Sequence, residues 1–137
     1  MPTARTVKPR RRLEREIAAD IRQWMQLHGY LAIRCVAGPV RSMRIGQETP
    51  EQTNPEGFPD WCFLKVDSHG CDDWTDVFFI ETKRPGEKPT KIQQAWLESL
   101  RIEAFRAEWF DGFREPEGVR PFLTWWEENF GEVEWRE

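Results

Sequence analysis

Apolar residues recur at three- and four-residue steps between residues 12 and 28, a pattern that is typical of an amphipathic helix with one buried face. The apolar stripe consists of Leu13, Ile17, Ile21, Trp24, Met25 and either Leu27 or His28. Gly29 follows directly, and glycine commonly ends a helix because it accepts a left-handed backbone. Residues 30–36, which come next, predict a strand.

Residues 37–59 differ from their neighbours because they hold many glycines and prolines and few apolar residues. This composition predicts a long irregular loop, and long loops in small domains are often functional. Residues 61–66 and 77–83 are mainly apolar runs that predict two strands, separated by turn-forming residues at 67–73. We therefore expect an antiparallel hairpin.

The last third of the chain predicts two further helices and one strand. Arg84, Pro85 and Gly86 end the hairpin's second strand. Residues 88–100 predict a helix whose apolar face consists of Ile92, Ala95, Trp96 and Leu100. A strand at 105–110 and a tryptophan-rich helix at 121–130 follow. This order predicts an α/β fold in which a mixed sheet packs between helices on both of its faces.

The length and the aromatic content together predict one compact domain. The chain has 137 residues, of which 39% are hydrophobic and 13% aromatic, enough for a single core. We assign residues 12–137 to this domain and residues 1–11 to a flexible basic arm. Trp24 and Trp96 lie in helical apolar stripes and are expected in the core. Trp125 and Trp126 are adjacent, so one of them must be less buried, and an interface role for it stays open.

The charge is unevenly distributed along the chain. The net charge of −4 argues against a protein that binds nucleic acid by bulk charge alone. The basic residues before the first acid, Glu14, are Arg5, Lys8, Arg10, Arg11 and Arg12, whereas the last third is acidic. The arm either contacts phosphates locally or is a solubilising tail. Arg34, Arg41 and Arg44 border the long loop and have the same two interpretations, phosphate contact or solvated charge.

Cysteine and histidine spacing predicts neither a disulfide framework nor a zinc site. Cys35, Cys62 and Cys71 lack paired spacing, and His28 and His69 have no ligand spacing. No apolar run has the length of a signal peptide core or of a membrane span. These features predict a reduced, intracellular protein of the cytoplasm that does not bind membranes.

The residues with the clearest chemical meaning lie on the predicted hairpin. Glu81 and Lys83 alternate with Thr82 on one strand, so they point to the same face. Asp60 opens the paired strand, and antiparallel pairing predicts a position about 5 Å from Glu81. Two carboxylates this close repel each other unless a cation lies between them, and oxygen ligands suit Mg²⁺ or Mn²⁺. Such a metal activates water towards a phosphodiester, and Lys83 can orient that water or neutralise charge on the phosphate.

The segments 57–60 (Gly-Phe-Pro-Asp) and 79–86 (Phe-Ile-Glu-Thr-Lys-Arg-Pro-Gly) resemble the virus-type replication-repair nuclease domain (VRR-NUC) of the PD-(D/E)xK superfamily. The resemblance covers roughly residues 13–100. It implies a restriction-endonuclease-like core in which Asp60, Glu81 and the carbonyl of Thr82 hold the metal. The family's threonine-x-x-glutamine lead-in matches Thr90 and Gln93, with Gln94 as the weaker match, and implies that the glutamine supports Lys83 or the water.

The family also has a glutamate early in its first helix, which implies a further metal ligand here. Glu14 fits that position best, and Glu16 stays open because Ala18 stands where many members carry a glutamine. The resemblance implies a DNA endonuclease of phage or bacterial origin that cuts branched DNA, such as Holliday junctions or flaps, in replication, repair or recombination. It also implies a homodimer, for which the acidic C-terminal region is a candidate surface. The alternative is a catalytically inactive DNA-binding or protein-interaction module on the same fold.

Overall fold

The computed structural model describes residues 11–35, 39–40, 51–52, 55–67 and 74–131. In chain order the elements are α1 (Glu14–Leu27), β1 (Leu31–Arg34), β2 (Pro39–Val40), β3 (Glu51–Gln52), β4 (Trp61–Asp67), β5 (Trp74–Thr82), α2 (Lys91–Ile102), β6 (Arg106–Phe110) and α3 (Phe122–Phe130). The predicted helices and strands are confirmed, with ends within three residues of those expected. The short antiparallel pair β2–β3 was not predicted and lies in the segment expected to be irregular.

One four-stranded sheet organises the chain in the order β1-β4-β5-β6. Strands β1, β4 and β5 are antiparallel neighbours, so the predicted hairpin is confirmed. Helix α2 then crosses over and delivers β6 parallel to β5, which makes the sheet mixed. The register places Trp61 opposite Ile80, so the residues that precede and follow them, Asp60 and Glu81, lie at one end of the sheet.

Helices α1 and α3 cover one face of the sheet and form the main core. Phe63, Phe78 and Ile80 point from the central strands into this layer and are fully buried. The other residues of the same cluster are Ile17, Ile21, Trp24, Met25, Tyr30, Phe110, Phe122, Leu123 and Trp126. Trp126 is buried, whereas Trp125 is only partly buried against the cluster, as adjacency on a short helix requires.

Helix α2 lies on the opposite face. Phe79 of β5 makes edge contacts with Phe58 and with Phe105, and Phe58 in turn contacts Trp96 of α2. Because successive strand residues alternate between faces, Phe79 and Glu81 share this side while Phe78 and Ile80 share the other. The structure therefore has three layers, helix–sheet–helix, with Glu81 on the α2 side.

The loop between β6 and α3 is anchored by a buried acid, Asp111. Its carboxylate accepts backbone N–H bonds from Gly86 at 2.9 Å, Val119 at 2.9 Å and Arg120 at 2.7 Å. Gly118 has φ +72°, and a Cβ there would lie 2.4 Å from Oδ1 of Asp111. The C-terminal third therefore belongs to the same domain as the strands that carry the predicted site. Residues 132–137, which complete the acidic region expected at a dimer surface, lie outside the described residues.

At the other end, the described residues begin at Arg11, which the sequence assigned to the basic arm. Arg11 donates a hydrogen bond to the Pro85 carbonyl and lies 3.9 Å from a carboxylate oxygen of Glu87. Residues 1–10 of the predicted arm lie outside the described part of the chain. Within the described ranges, no helix combines the length and the apolar character that crossing a membrane requires.

Candidate metal centre

Asp60 and Glu81 are neighbours across the β4–β5 hairpin, as the sequence predicted. The backbone N–H of Asp60 donates to Oε2 of Glu81 at 3.2 Å. The Asp60 carbonyl accepts a 2.7 Å bond from the Cys35 N–H just after β1, so the start of β4 is held on both sides. Glu81 is 1% exposed, which is unusual for a carboxylate.

Glu14 in the first turn of α1 completes a group of three acids. Carboxylate oxygens of Glu14, Asp60 and Glu81 lie within 4.8 Å of one another. Glu16 is not part of this group, so the geometry selects Glu14 from the two candidates that the sequence left open. The reason is helical periodicity, because Glu14 continues the line of the buried residues Ala18, Ile21 and Met25.

Lys83 and Gln93 both approach the same oxygen of Glu81. The Nζ of Lys83 lies 3.8 Å from Oε1 of Glu81, and its side chain is 13% exposed. The Nε2 of Gln93 on α2 donates to that Oε1 at 3.0 Å. Gln94 instead donates to the Pro89 carbonyl at 3.0 Å, so Gln93 is the one of the two glutamines that contacts Glu81.

A capping box at the start of α2 fixes the orientation of Gln93. The Gln93 N–H donates to Oγ1 of Thr90 at 3.2 Å, and the Thr90 N–H donates to Oε1 of Gln93 at 2.8 Å. The helix cap therefore holds the amide oxygen of Gln93, and the amide nitrogen Nε2 donates to Glu81. The threonine-x-x-glutamine spacing thus caps the helix and supports the acid at the same time.

The loop before Asp60 packs directly on α2, which explains its glycine. Gly57 has φ +82°, and a Cβ there would lie 2.4 Å from Cγ2 of Ile92 and 3.2 Å from the backbone nitrogen of Gln93. Next to it, the Glu56 carbonyl accepts a 3.1 Å bond from Nε1 of Trp96. Glycine at this position therefore lets the strand that carries Asp60 and the helix that carries Gln93 approach each other.

Electrostatically, the three acids are short of positive charge. Burial, and then the nearby charge of Asp60, raises the pKa of Glu81 to about 9, although Lys83 acts in the opposite direction. Burial and the charge of Asp60 likewise raise the pKa of Glu14. Crowded carboxylates that share one lysine are a suitable oxygen donor set for a divalent cation, which would relieve their repulsion.

Thr82 and Ala18 lie beside the acids on the wall of an open cleft of about 910 Å³, which Glu14 and Asp60 also line. Thr82 is 2% exposed and lines the cleft together with Glu14 and Asp60. Its carbonyl as a metal ligand stays a prediction. Ala18 is 6% exposed and leaves a small side chain on this wall where the resembling family often has a glutamine.

The arginines expected to contact DNA lie in different environments. Arg12 pairs with Asp20 at 2.7 Å and with Glu117 at 2.8 Å, so it ties α1 to the Asp111 loop. Arg34 lines the cleft beside Asp60 and is exposed. Arg10, Arg41 and Arg44 lie outside the described residues. Sequence reasoning missed Arg15 and Arg22, which line the same cleft and carry a detectable signal, a seven-residue spacing on the polar face of α1.

Cysteine and histidine take no part in the acidic group. Cys35 and Cys62 are free thiols, and Cys71 lies outside the described residues. His28 ends α1, where its Nδ1 lies 2.7 Å from the Trp24 carbonyl, and its ring packs against Trp24 and Trp126.

Comparisons of the chain with protein-family models, curated proteins and solved structures gave no match.

Proposed function

We propose that this chain is a divalent-metal-dependent DNA endonuclease of the PD-(D/E)xK type, related to the VRR-NUC domains that its motifs resemble. One observation carries the proposal, which is the convergence of Glu14, Asp60 and Glu81 within 4.8 Å. These acids come from α1, the start of β4 and β5, with a lysine and a glutamine on the same carboxylate. In a chance cluster of surface acids, we do not expect the central acid to be buried or to accept a hydrogen bond from a second helix.

The donor set fits Mg²⁺ or Mn²⁺, because all three acids offer oxygen and no sulfur or imidazole belongs to the group. When bound, such an ion polarises the scissile phosphate and lowers the pKa of an attacking water. Asp60 and Glu81 are the central ligands, with Glu14 as a further ligand, direct or through water. The Thr82 carbonyl completes the set that the family resemblance suggests.

Lys83 and Gln93 have supporting roles in this proposal. The Lys83 ammonium lies beside Glu81 and is largely shielded from solvent, where it orients the attacking water or neutralises charge that develops on the phosphate. Gln93 holds Oε1 of Glu81 in place, so the carboxylate keeps its orientation through the reaction. Branched DNA and a homodimer that presents two sites to two strands are the substrate and assembly that the resemblance suggests.

The test is a cleavage assay on linear, flap, splayed and four-way DNA with Mn²⁺ or Mg²⁺. We expect cleavage that depends on the metal and is stopped by EDTA. Glu81→Gln, which keeps the shape of the side chain, is expected to lower the rate by at least about a thousandfold while DNA binding survives. Lys83→Ala is expected to lower the rate strongly as well, because the variant removes the cation next to the reacting phosphate.

The chain offers two matched pairs of control variants. Gln93→Ala is expected to slow cleavage by roughly 10- to 100-fold, whereas Gln94→Ala is expected to leave it unchanged. Glu14→Gln is expected to weaken the dependence on metal, whereas Glu16→Gln is not. A folded parent protein that cuts none of these substrates with Mn²⁺ contradicts the enzyme. If it still binds DNA, the inactive binding module becomes the better description.

A further inference from the structure

A cleft runs from the acidic group along the solvent-facing side of α1. The residues of α1 that line the cleft recur at one-, three- and four-residue steps, so they form one stripe from Glu14 to Gln26. The twelve residue-to-residue steps from Glu14 to Gln26, at 1.5 Å each, give the stripe a length of about 18 Å. The end of β1 and the start of β4 form the opposite wall through Arg34 and Trp61.

Three arginines line this cleft and are free to bind an anion. Arg15, Arg22 and Arg34 are exposed, and no carboxylate within the described ranges forms an ion pair with them. By contrast, Arg12, Arg101 and Arg120, which lie outside the cleft, all pair with acids. Arg22 lies over the Trp61 ring at 5.8 Å, which places an arginine beside an aromatic ring inside the cleft.

The length and the lining of the cleft suit a single strand. The cleft has a volume of about 910 Å³ and is open to solvent along its length of about 18 Å. Positive side chains combined with an aromatic ring in a groove are characteristic of single-strand binding.

We infer that this cleft holds one polynucleotide strand, with its phosphates on Arg15, Arg22 and Arg34 and its scissile phosphate at the acidic group. The inference rests on the proposed nuclease function, and it names the form of nucleic acid that the site takes. The seven-residue interval between Arg15 and Arg22 is about 10.5 Å, so the two guanidinium groups meet different phosphates of the same strand. Flaps and splayed ends supply such strands, whereas a blunt duplex does not.

Equilibrium binding tests the inference without any need for cleavage. A labelled single-stranded DNA, an RNA of the same sequence and the blunt DNA duplex are titrated with the full chain carrying Glu81→Gln, at several salt concentrations. Arg15→Ala, Arg22→Ala and Arg34→Ala combined are expected to weaken single-strand binding at least about tenfold. They are also expected to reduce the slope of log affinity against log salt by about 2, since each lost phosphate contact removes about 0.7.

The control has the same charge change elsewhere, with Lys65→Ala, Arg106→Ala and Arg114→Ala combined, none of which lines the cleft. It is expected to leave the slope within experimental error of the parent, and thermal melts establish that both triple variants are folded. An equal loss in the control, or no loss in the cleft variant, overturns the strand position. A duplex that binds as tightly as the single strand and loses as much affinity overturns the single-strand preference.

The RNA titration decides which sugar the cleft accepts, and equal binding of DNA and RNA supports contact through phosphates alone. If the protein never cleaves but shows the expected slopes, the strand-binding cleft is supported and only the nuclease function is contradicted. If the protein cleaves but the triple cleft variant shows no change in slope, the nuclease function is supported and the strand-binding cleft is contradicted. The two failures are therefore distinguishable.

Discussion

Glu81 and Asp111 are both acidic side chains that are almost completely buried, at 1% and 0% exposure, but their surroundings are opposite in kind. Asp111 accepts backbone N–H bonds from three residues of the chain and joins two loops. Glu81 accepts one backbone N–H and one side-chain amide, and it faces two further carboxylates. The first acid is satisfied by the fold, whereas the second is left with an excess of negative charge.

This difference separates a structural acid from a candidate ligand better than burial does. A buried carboxylate that is surrounded by N–H donors stabilises the folded chain, since hydrogen bonds to charged groups are strong. A buried carboxylate that is crowded by other acids destabilises the chain until a cation arrives. Crowded acids of this kind are a suitable donor set for a cation, which is why the Glu81 end of the sheet is the candidate site.

The largest expected effect on stability is that of Asp111→Asn. The amide puts N–H donors where the loop already supplies N–H groups, so we expect a loss of roughly 3 kcal/mol in the free energy of unfolding. Glu81→Gln removes the cost of keeping this crowded acid protonated in the folded chain, so it is expected to be neutral or stabilising in EDTA. Urea unfolding of the two variants beside the parent measures both changes. A Glu81→Gln variant that is as unstable as Asp111→Asn contradicts the distinction between the two acids.

The effect that is expected per pH unit on the stability of the metal-free protein is smaller. The pKa of Glu81 is raised from 4.5 to about 9 in the folded chain, chiefly by burial. Between these values the folded chain keeps a proton that the unfolded chain has released, so stability falls as the pH rises. The slope is at most about 1.4 kcal/mol per pH unit.

Urea midpoints in EDTA across this pH window measure the slope. Glu81→Gln is expected to flatten it, and Asp111→Asn is expected to retain it at a lower overall stability. Saturating Mn²⁺ is also expected to flatten the slope for the parent, because the metal binds the deprotonated acids. A parent protein whose stability in EDTA does not change with pH shows that Glu81 is not crowded as described.

Much of the candidate site followed from the sequence because its spacing is local. Asp60 and Glu81 meet across a hairpin whose register depends on short apolar strands, and strand alternation places Lys83 beside Glu81. Gln93 was preferred to Gln94 on a resemblance, and the capping box with Thr90 supplies the physical reason. Helical periodicity alone also points to Glu14 rather than Glu16, because it continues the buried line of α1.

The rest depends on contacts between distant residues. The donors to Asp111 come from loops whose conformation no periodicity describes, so its burial was not predictable. Arg12 was expected to contact phosphate, but the structure places it between Asp20 of α1 and Glu117 of a distant loop. The role proposed for Arg15 and Arg22 depends on the opposite wall of the cleft, which β1 and β4 form.

The measurement that tests the central claim most directly is the affinity for Mn²⁺. It is determined by isothermal titration calorimetry at a temperature where every variant is folded. We expect the parent and Asp111→Asn to bind Mn²⁺ in competition with Mg²⁺, and Glu81→Gln to lose most of this affinity. Both substitutions replace a buried acid with its amide, so the comparison isolates the acidic group. A parent that binds no Mn²⁺, or a Glu81→Gln variant that binds it as tightly as the parent, contradicts the account.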